Sequence, residues 1–429
     1  MRKYDYILSL WIILGWAAAS LVAQETFVLP KAIERNVDFW VKIYACYPTH
    51  TVVIHDKEDL SVVYEVVNLD EYPAAQNGSR WSIVEQKKTK YVRALEELAK
   101  MSKPISYDSL TALQRHVYLA WLHSADKEKF TKAVENIRAQ RGVSDRFAES
   151  VKRSGRYLEY IKTVFKDYGL PEDIAYLAHV ESLFNYDAYS KAGAAGIWQF
   201  IPHTGRLFLT INEAVDERLD PLVATVAAAK LLRKNYQQLG SWPLAITAYN
   251  HGLSGMKDAV QKTGTNDFET IFLNYRSRSF GFASKNFYAE FLAAVHVAKN
   301  YYHYFGPLEL SPPAKFMTVE LPVPMYLKEA AALFSVEVDT LIVFNKALRK
   351  PAVENQQKLP AGYKLHLPFR ENWNPLEVFP TSENRMDRRN SDKSGTVQSV
   401  KISNPSERDS SAASERLPAA VDKLPFQID

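Results

Sequence analysis

The chain has 429 residues, 47% hydrophobic and 12% aromatic, with a formal net charge of +4. That is enough apolar material for two or three domains with their own cores, which excludes a wholly disordered chain. The basic excess is too small to argue for nucleic acid as a partner, and no basic run alternates with aromatics. Cys46 is the only cysteine, so no intrachain disulfide can form.

Arg2 and Lys3 precede an apolar segment from Tyr6 to Ala23 that ends in Leu21-Val22-Ala23. This is the layout of a secretory signal over residues 1–23, which predicts a working place in the periplasm or cell envelope. An uncleaved anchor, with membrane association through the same segment, is the competing expectation. No cysteine stands at its end for lipid attachment. Residues 24–140 then read as a mixed and helical extension. THTVVIHD and SVVYEVVNL predict two strands, and helices are expected over Tyr91–Ala99, Ser109–His123 and Lys127–Gln140.

Helical periodicity continues from Asp145 to Tyr168, where Gly169-Leu170-Pro171 interrupts it. A helix is expected from Pro171 to Leu183, with Glu172 and Asp173 in its first turn. On it Ile174, Leu177, Ala178 and Glu181 fall at i, i+3, i+4 and i+7, which puts the Glu181 carboxyl on the core-facing stripe. Such a group is either an ion-paired core residue or a carboxyl kept protonated for use as a general acid. The next segment, Ser190 to Gly205, carries three glycines and suits backbone passing close to a ligand. Ile197, Trp198, Gln199 and Phe200 follow, then Tyr249 and Asn250 ahead of His251-Gly252. Aromatic faces and amides of this kind suit a groove that holds sugar rings and their acetamido groups.

Pro221–Leu239 reads as a buried central helix closed by Gly240, Trp242–Asn250 begins another, and Lys285–Phe305 gives one more. Pro312-Pro313 marks a boundary. Beyond it a strand at Phe316–Val319, helices at Lys328–Phe334 and Val338–Phe344, and a strand at Tyr363–Pro368 form a βααβ unit over 313–370. From Glu371 to Asp429 Ser, Arg, Asn and Asp dominate, and a disordered tail is expected.

Three ordered motifs between about Arg141 and Phe305 resemble the Slt-type lytic transglycosylases, in particular their membrane-bound D-like branch ending in LysM modules. Glu181-Ser182 matches that family's catalytic ES pair, Gly193–Phe200 (GAAGIWQF) its GxxGLMQ segment, and Ala248–Gly252 (AYNHG) its AYNxG segment. Ser190 and Gln199 lie nine and eighteen residues after Glu181, as the resemblance requires. The family's Met is Trp198 here, and its ETRxYV segment appears as Ala283–Tyr288 (ASKNFY). The resemblance implies a mainly α chain: a lysozyme-like (goose-type/Slt) catalytic domain over 141–312, a helical N-terminal extension and a small LysM-like module. It also implies an enzyme acting on peptidoglycan glycan strands, whose anionic wall the mild basic excess would suit. Glu181 would be its catalytic residue, with Ser190, Trp198, Gln199, Tyr249 and Asn250 binding substrate.

No HExxH, paired Cys-x-x-Cys, P-loop, GxGxxG after a strand or GxSxG elbow is present, so no metal or cofactor is expected. Glycosidases usually need a second carboxylate, and the candidates around Glu181 are Asp187, Glu213, Asp216 and Glu217, all in segments that read as exposed. The resemblance implies a way round this: one Glu acts as acid and then as base, and the muramyl C6 hydroxyl closes a 1,6-anhydro ring. A goose-type lysozyme-like hydrolase and a non-catalytic wall-binding protein are the alternatives.

Overall fold

The computed structural model describes residues 27–72, 80–102 and 104–379. The signal-like segment and the tail beyond Phe379 lie outside the described residues. Helix α1 (Glu34–Ala45) leads into strands β1 (Thr51–Asp56) and β2 (Val63–Asn68), then α2 (Trp81–Lys100), α3 (Ala112–Ala120), α4 (Lys129–Ala133) and β3 (Ile137–Arg141). The strands form an antiparallel sheet in the order β2-β1-β3. The expected strands are found. The helix expected over Lys127–Gln140 is not: it stops at Ala133, and Ile137–Arg141 pairs with β1, because a sheet edge offers these residues a full ladder that an isolated last turn would lack.

β1 is buried along its whole length, and its two faces belong to different cores. Val52 and Ile54 pack with α2, α3 and α4, whereas Val53 joins the cluster that contains α1 and the whole central region. Period-two alternation explains the split. The expected extension over 24–140 is therefore divided: α1, through Phe39, Trp40, Ile43 and Tyr44, is part of the central region's core.

α5 (Ser144–Ser154) and α6 (Leu158–Asp167) replace the single run expected from Asp145 to Tyr168. They separate at Gly155, where a Cβ would stand 2.5 Å from the Ser311 carbonyl oxygen of a crossing segment. A 3-10 turn (Glu172–Tyr176) then feeds the short α7 (Leu177–Ser182), and α8 (Pro202–Gly205) follows the glycine-rich loop. α9 (Pro221–Leu239) is the buried central helix, capped by the Asp220 side chain and closed by Gly240 at φ 67°. Around it lie α10 (Trp242–His251), α11 (Leu253–Thr263), α12 (Phe268–Asn274), α13 (Phe282–Lys299) and α14 (Tyr301–Phe305).

The βααβ unit is present as β4 (Phe316–Glu320), α15 (Leu327–Phe334), α16 (Val338–Phe344), a short α17 (Lys350–Val353) and β5 (Lys364–Pro368). β4 and β5 pair antiparallel, Phe316 opposite Pro368. The unit continues past residue 370, since Trp373 and Phe379 both pack edge-on against Phe334. It is also locked to the central region. Ala214 and Val215 insert into its core, Val215 bridges to Leu348, and the Asp216 N–H donates to the Ala347 carbonyl at 2.7 Å. His366 Nε2 meets Asp220 Oδ2 at 2.7 Å with both side chains buried, which ties β5 to the cap of α9. Among the described residues no helix is long and apolar enough to cross a membrane.

Candidate active site

α7 is short because its end is forced. Leu183 and Phe184 both take left-handed backbone angles, φ 52° each, so the chain leaves the helix immediately after Glu181-Ser182. Gln199 is left-handed too, at φ 46°. Left-handed non-glycine residues cost roughly 1–2 kcal/mol each and persist where surrounding structure imposes them. Here Arg153 Nη2 donates to the Leu183 carbonyl at 2.6 Å, and the Ser182 hydroxyl donates to the Ile197 carbonyl at 3.0 Å. Glu181 is 8% exposed, at the floor of a cleft of about 370 Å³ that Arg146, Glu149, Arg153, Ser182 and Asn185 also line.

The loop that faces this helix is built on Arg218. Its guanidinium donates to the Gly193 and Phe200 carbonyls at 2.7 and 3.0 Å and grips Asp216 at 2.9 and 2.7 Å. Gly196, at φ 74°, passes so close to the Arg218 carbonyl oxygen that a Cβ would sit 1.8 Å from it. Ser190 closes the loop, its hydroxyl accepting from the Ala194 N–H at 2.9 Å.

The expected substrate-binding residues separate into two groups. Tyr249 is buried, donates to the Trp198 carbonyl at 2.8 Å, and has its phenol pushed well up by burial and by the charge of Glu181. Asn250, also buried, accepts from Ser284 Oγ at 2.8 Å, so the ASKNFY segment supports this corner. Trp198 corrects the sequence reading. It is fully buried against Phe165 and donates to Thr225 Oγ1 at 2.9 Å, so the indole is core and stacks on no sugar. The Gln199 amide is turned inward to the Gly196 carbonyl at 2.8 Å, where it shapes the loop.

The expectation that the other carboxylates are exposed holds for Asp187 and Glu213 and fails for two. Asp216 is fully buried; burial pushes its carboxyl up, but the bonds and charge of Arg218 outweigh this and hold it low. Glu217 is buried and accepts from the Thr210 N–H at 2.7 Å. None of the four lines the cleft.

The sequence reading missed Glu290. It is 3% exposed on α13, with Oε2 3.5 Å from the Tyr44 hydroxyl and Oε1 without a hydrogen-bond partner among the described residues. Burial first, and the charge of Glu181 second, push its carboxyl up to about 8, against smaller opposing effects of Arg138 and Tyr44. The folded state thus keeps a proton that the unfolded chain releases near the ordinary carboxyl range. Stability attached to this group is complete at low pH and is lost as pH rises toward 8. Glu290→Gln should therefore melt several degrees above the unsubstituted protein at pH 8 and level with it near pH 4, as read by thermal scans; equal gaps at both values would show that Glu290 does not titrate this way.

Residues 159–272 match the transglycosylase SLT domain. The chain carries an SLT domain. Its matched span contains α7, the Arg218 loop, α9 and α10, and so every residue of the two groups above. Over 200 residues the chain is 29% identical to the membrane-bound lytic murein transglycosylase D of Escherichia coli K12, covering 46% of this chain and 44% of that protein. The chain thus spans less than half the length of that relative. Among solved structures, the 70 kDa soluble lytic transglycosylase of E. coli is 19% identical with a TM-score of 0.28, covering 56% of this chain and 39% of that one. A lytic transglycosylase Slt of Pseudomonas aeruginosa is 22% identical with a TM-score of 0.27, covering 35% and 24%.

Proposed function

We propose that this protein is a peptidoglycan lytic transglycosylase of the cell envelope, with Glu181 as its catalytic residue. The observation that carries this reading is a buried carboxyl of the matched SLT span at a cleft between that span and α5. Glu181 gives its proton to the oxygen between N-acetylmuramic acid and N-acetylglucosamine, and the C1–O bond breaks. The resulting carboxylate takes the proton of the muramyl C6 hydroxyl as that oxygen closes on C1, so the acid is restored. The nucleophile is tethered to the reacting carbon, which supplies the effective concentration a free water lacks. Tyr249, Asn250, Ser190 and Gln199 support the constellation by fixing the loop and helix around Glu181.

A second reading has one observation in its favour. Glu149 also lines the cleft, as an exposed carboxylate 2.7 Å from Lys152, and could activate water in a lysozyme-like hydrolysis. Mass spectrometry of digested sacculi separates the two. Muropeptides ending in a 1,6-anhydro ring, lighter by one water and inert to borohydride, are expected. Mostly reducible ends, lost in Glu149→Gln, would replace the transglycosylase with the hydrolase.

A further inference from the structure

Beside Glu181 the cleft carries two guanidinium groups that the chemistry above does not use. Arg146, Glu149 and Arg153 stand at i, i+3 and i+7 on α5, one face of the helix, and all three line the same cleft as Glu181. Arg146 is exposed, and among the described residues its guanidinium has neither an ion pair nor a hydrogen bond. Arg153 spends Nη2 on the Leu183 carbonyl, while its Nε is buried with no hydrogen-bond partner. Glu149 is paired with Lys152 and its charge also reaches Arg153, so it offsets part of that guanidinium and leaves Arg146 without an ion pair. A muramyl residue, unlike its N-acetylglucosamine neighbour, carries an acidic arm on C3: a free lactyl carboxylate on a peptide-stripped strand, or an amide-linked peptide with its own carboxylates.

We propose that Arg146 and Arg153 form a carboxylate subsite that holds this acidic arm and so sets which sugar lies over Glu181. The assignment rests on the muramyl substrate proposed above. Planar guanidinium groups suit carboxylates because they can donate two parallel hydrogen bonds. Arg153, anchored to the residue that ends α7, couples the seated arm to the position of Glu181. Arg146 is the adaptable member, free to close on either source of the carboxylate.

The test compares the unsubstituted protein with Arg146→Gln on three soluble substrates: peptide-stripped strands, peptide-bearing strands, and peptide-stripped strands whose lactyl groups have been converted to methylamides. Arg146→Gln should raise KM about tenfold on at least one carboxylate-bearing substrate with kcat changed less than twofold, and should match the unsubstituted protein on the methylamide. A penalty confined to stripped strands identifies the lactyl group, one confined to peptide-bearing strands identifies the stem, and one on both identifies a site that takes either. An equal penalty on all three substrates, or none on any, overturns the subsite. If the unsubstituted protein cleaves none of the three, it is the glycan reading that fails, not the subsite.

Discussion

Glu181→Gln should lower cleavage of sacculi by more than about a hundredfold while the melting temperature stays within a few degrees. The amide has the shape of the carboxyl and can be accommodated where Glu181 sits, but in the proposed reaction it would have no proton to give to the glycosidic oxygen and no charge to take one from C6. Turbidity loss of purified sacculi and thermal scans on the same preparations check both halves. Unchanged turnover would remove Glu181 from the chemistry. No turbidity loss with the unsubstituted protein would favour a wall-binding role instead.

His366→Ala should lower stability by about 2–4 kcal/mol and reduce activity on small soluble strands as well, although it lies outside the SLT match. The substitution leaves Asp220 buried without the group 2.7 Å from its Oδ2. Asp220 also caps α9 through the Leu222 and Val223 N–H groups, and α9 supplies Thr225, which holds Trp198 beside Gln199. Deleting 313–429 should do more, since Ala214 and Val215 would lose the core into which they are inserted. Chemical denaturation and assays with soluble strands read the effect. Full activity and an unchanged denaturation midpoint after either change would mean that the module is only loosely attached to the central region.

Glu181 was legible because a carboxyl interrupts an otherwise apolar stripe, and the glycines of its loop were legible because positive φ and close approach leave few alternatives to glycine. Glu290 carries the same signal: Asn286, Phe287, Ala293, Ala294 and Val297 around it on α13 are all buried. It was passed over because that helix is apolar on most sides and no single stripe stands out. Trp198 was misplaced for a related reason. Sequence shows an aromatic next to a glycine-rich loop, but whether its ring faces groove or core depends on α6 and α9, which contribute Phe165 and Thr225 from elsewhere in the chain. β3 was read as helix because its partner, β1, lies some 85 residues earlier. Local pattern holds no record of such a pairing.

The packing of α1 on α13 has a consequence for biogenesis. Asn36 Nδ2 donates to Asn286 Oδ1 at 2.7 Å across 250 residues of chain, and Phe39, Trp40, Ile43 and Tyr44 are buried in a core that includes α13. At about 5–20 residues per second, a ribosome would need roughly 10–50 s to add those residues. Throughout that interval the apolar face of α1 has only part of its native cover, from His55 of β1 against Phe39 and Phe147 of α5 against Tyr44. A fragment that begins at residue 141 would therefore lack the helix that closes its own core.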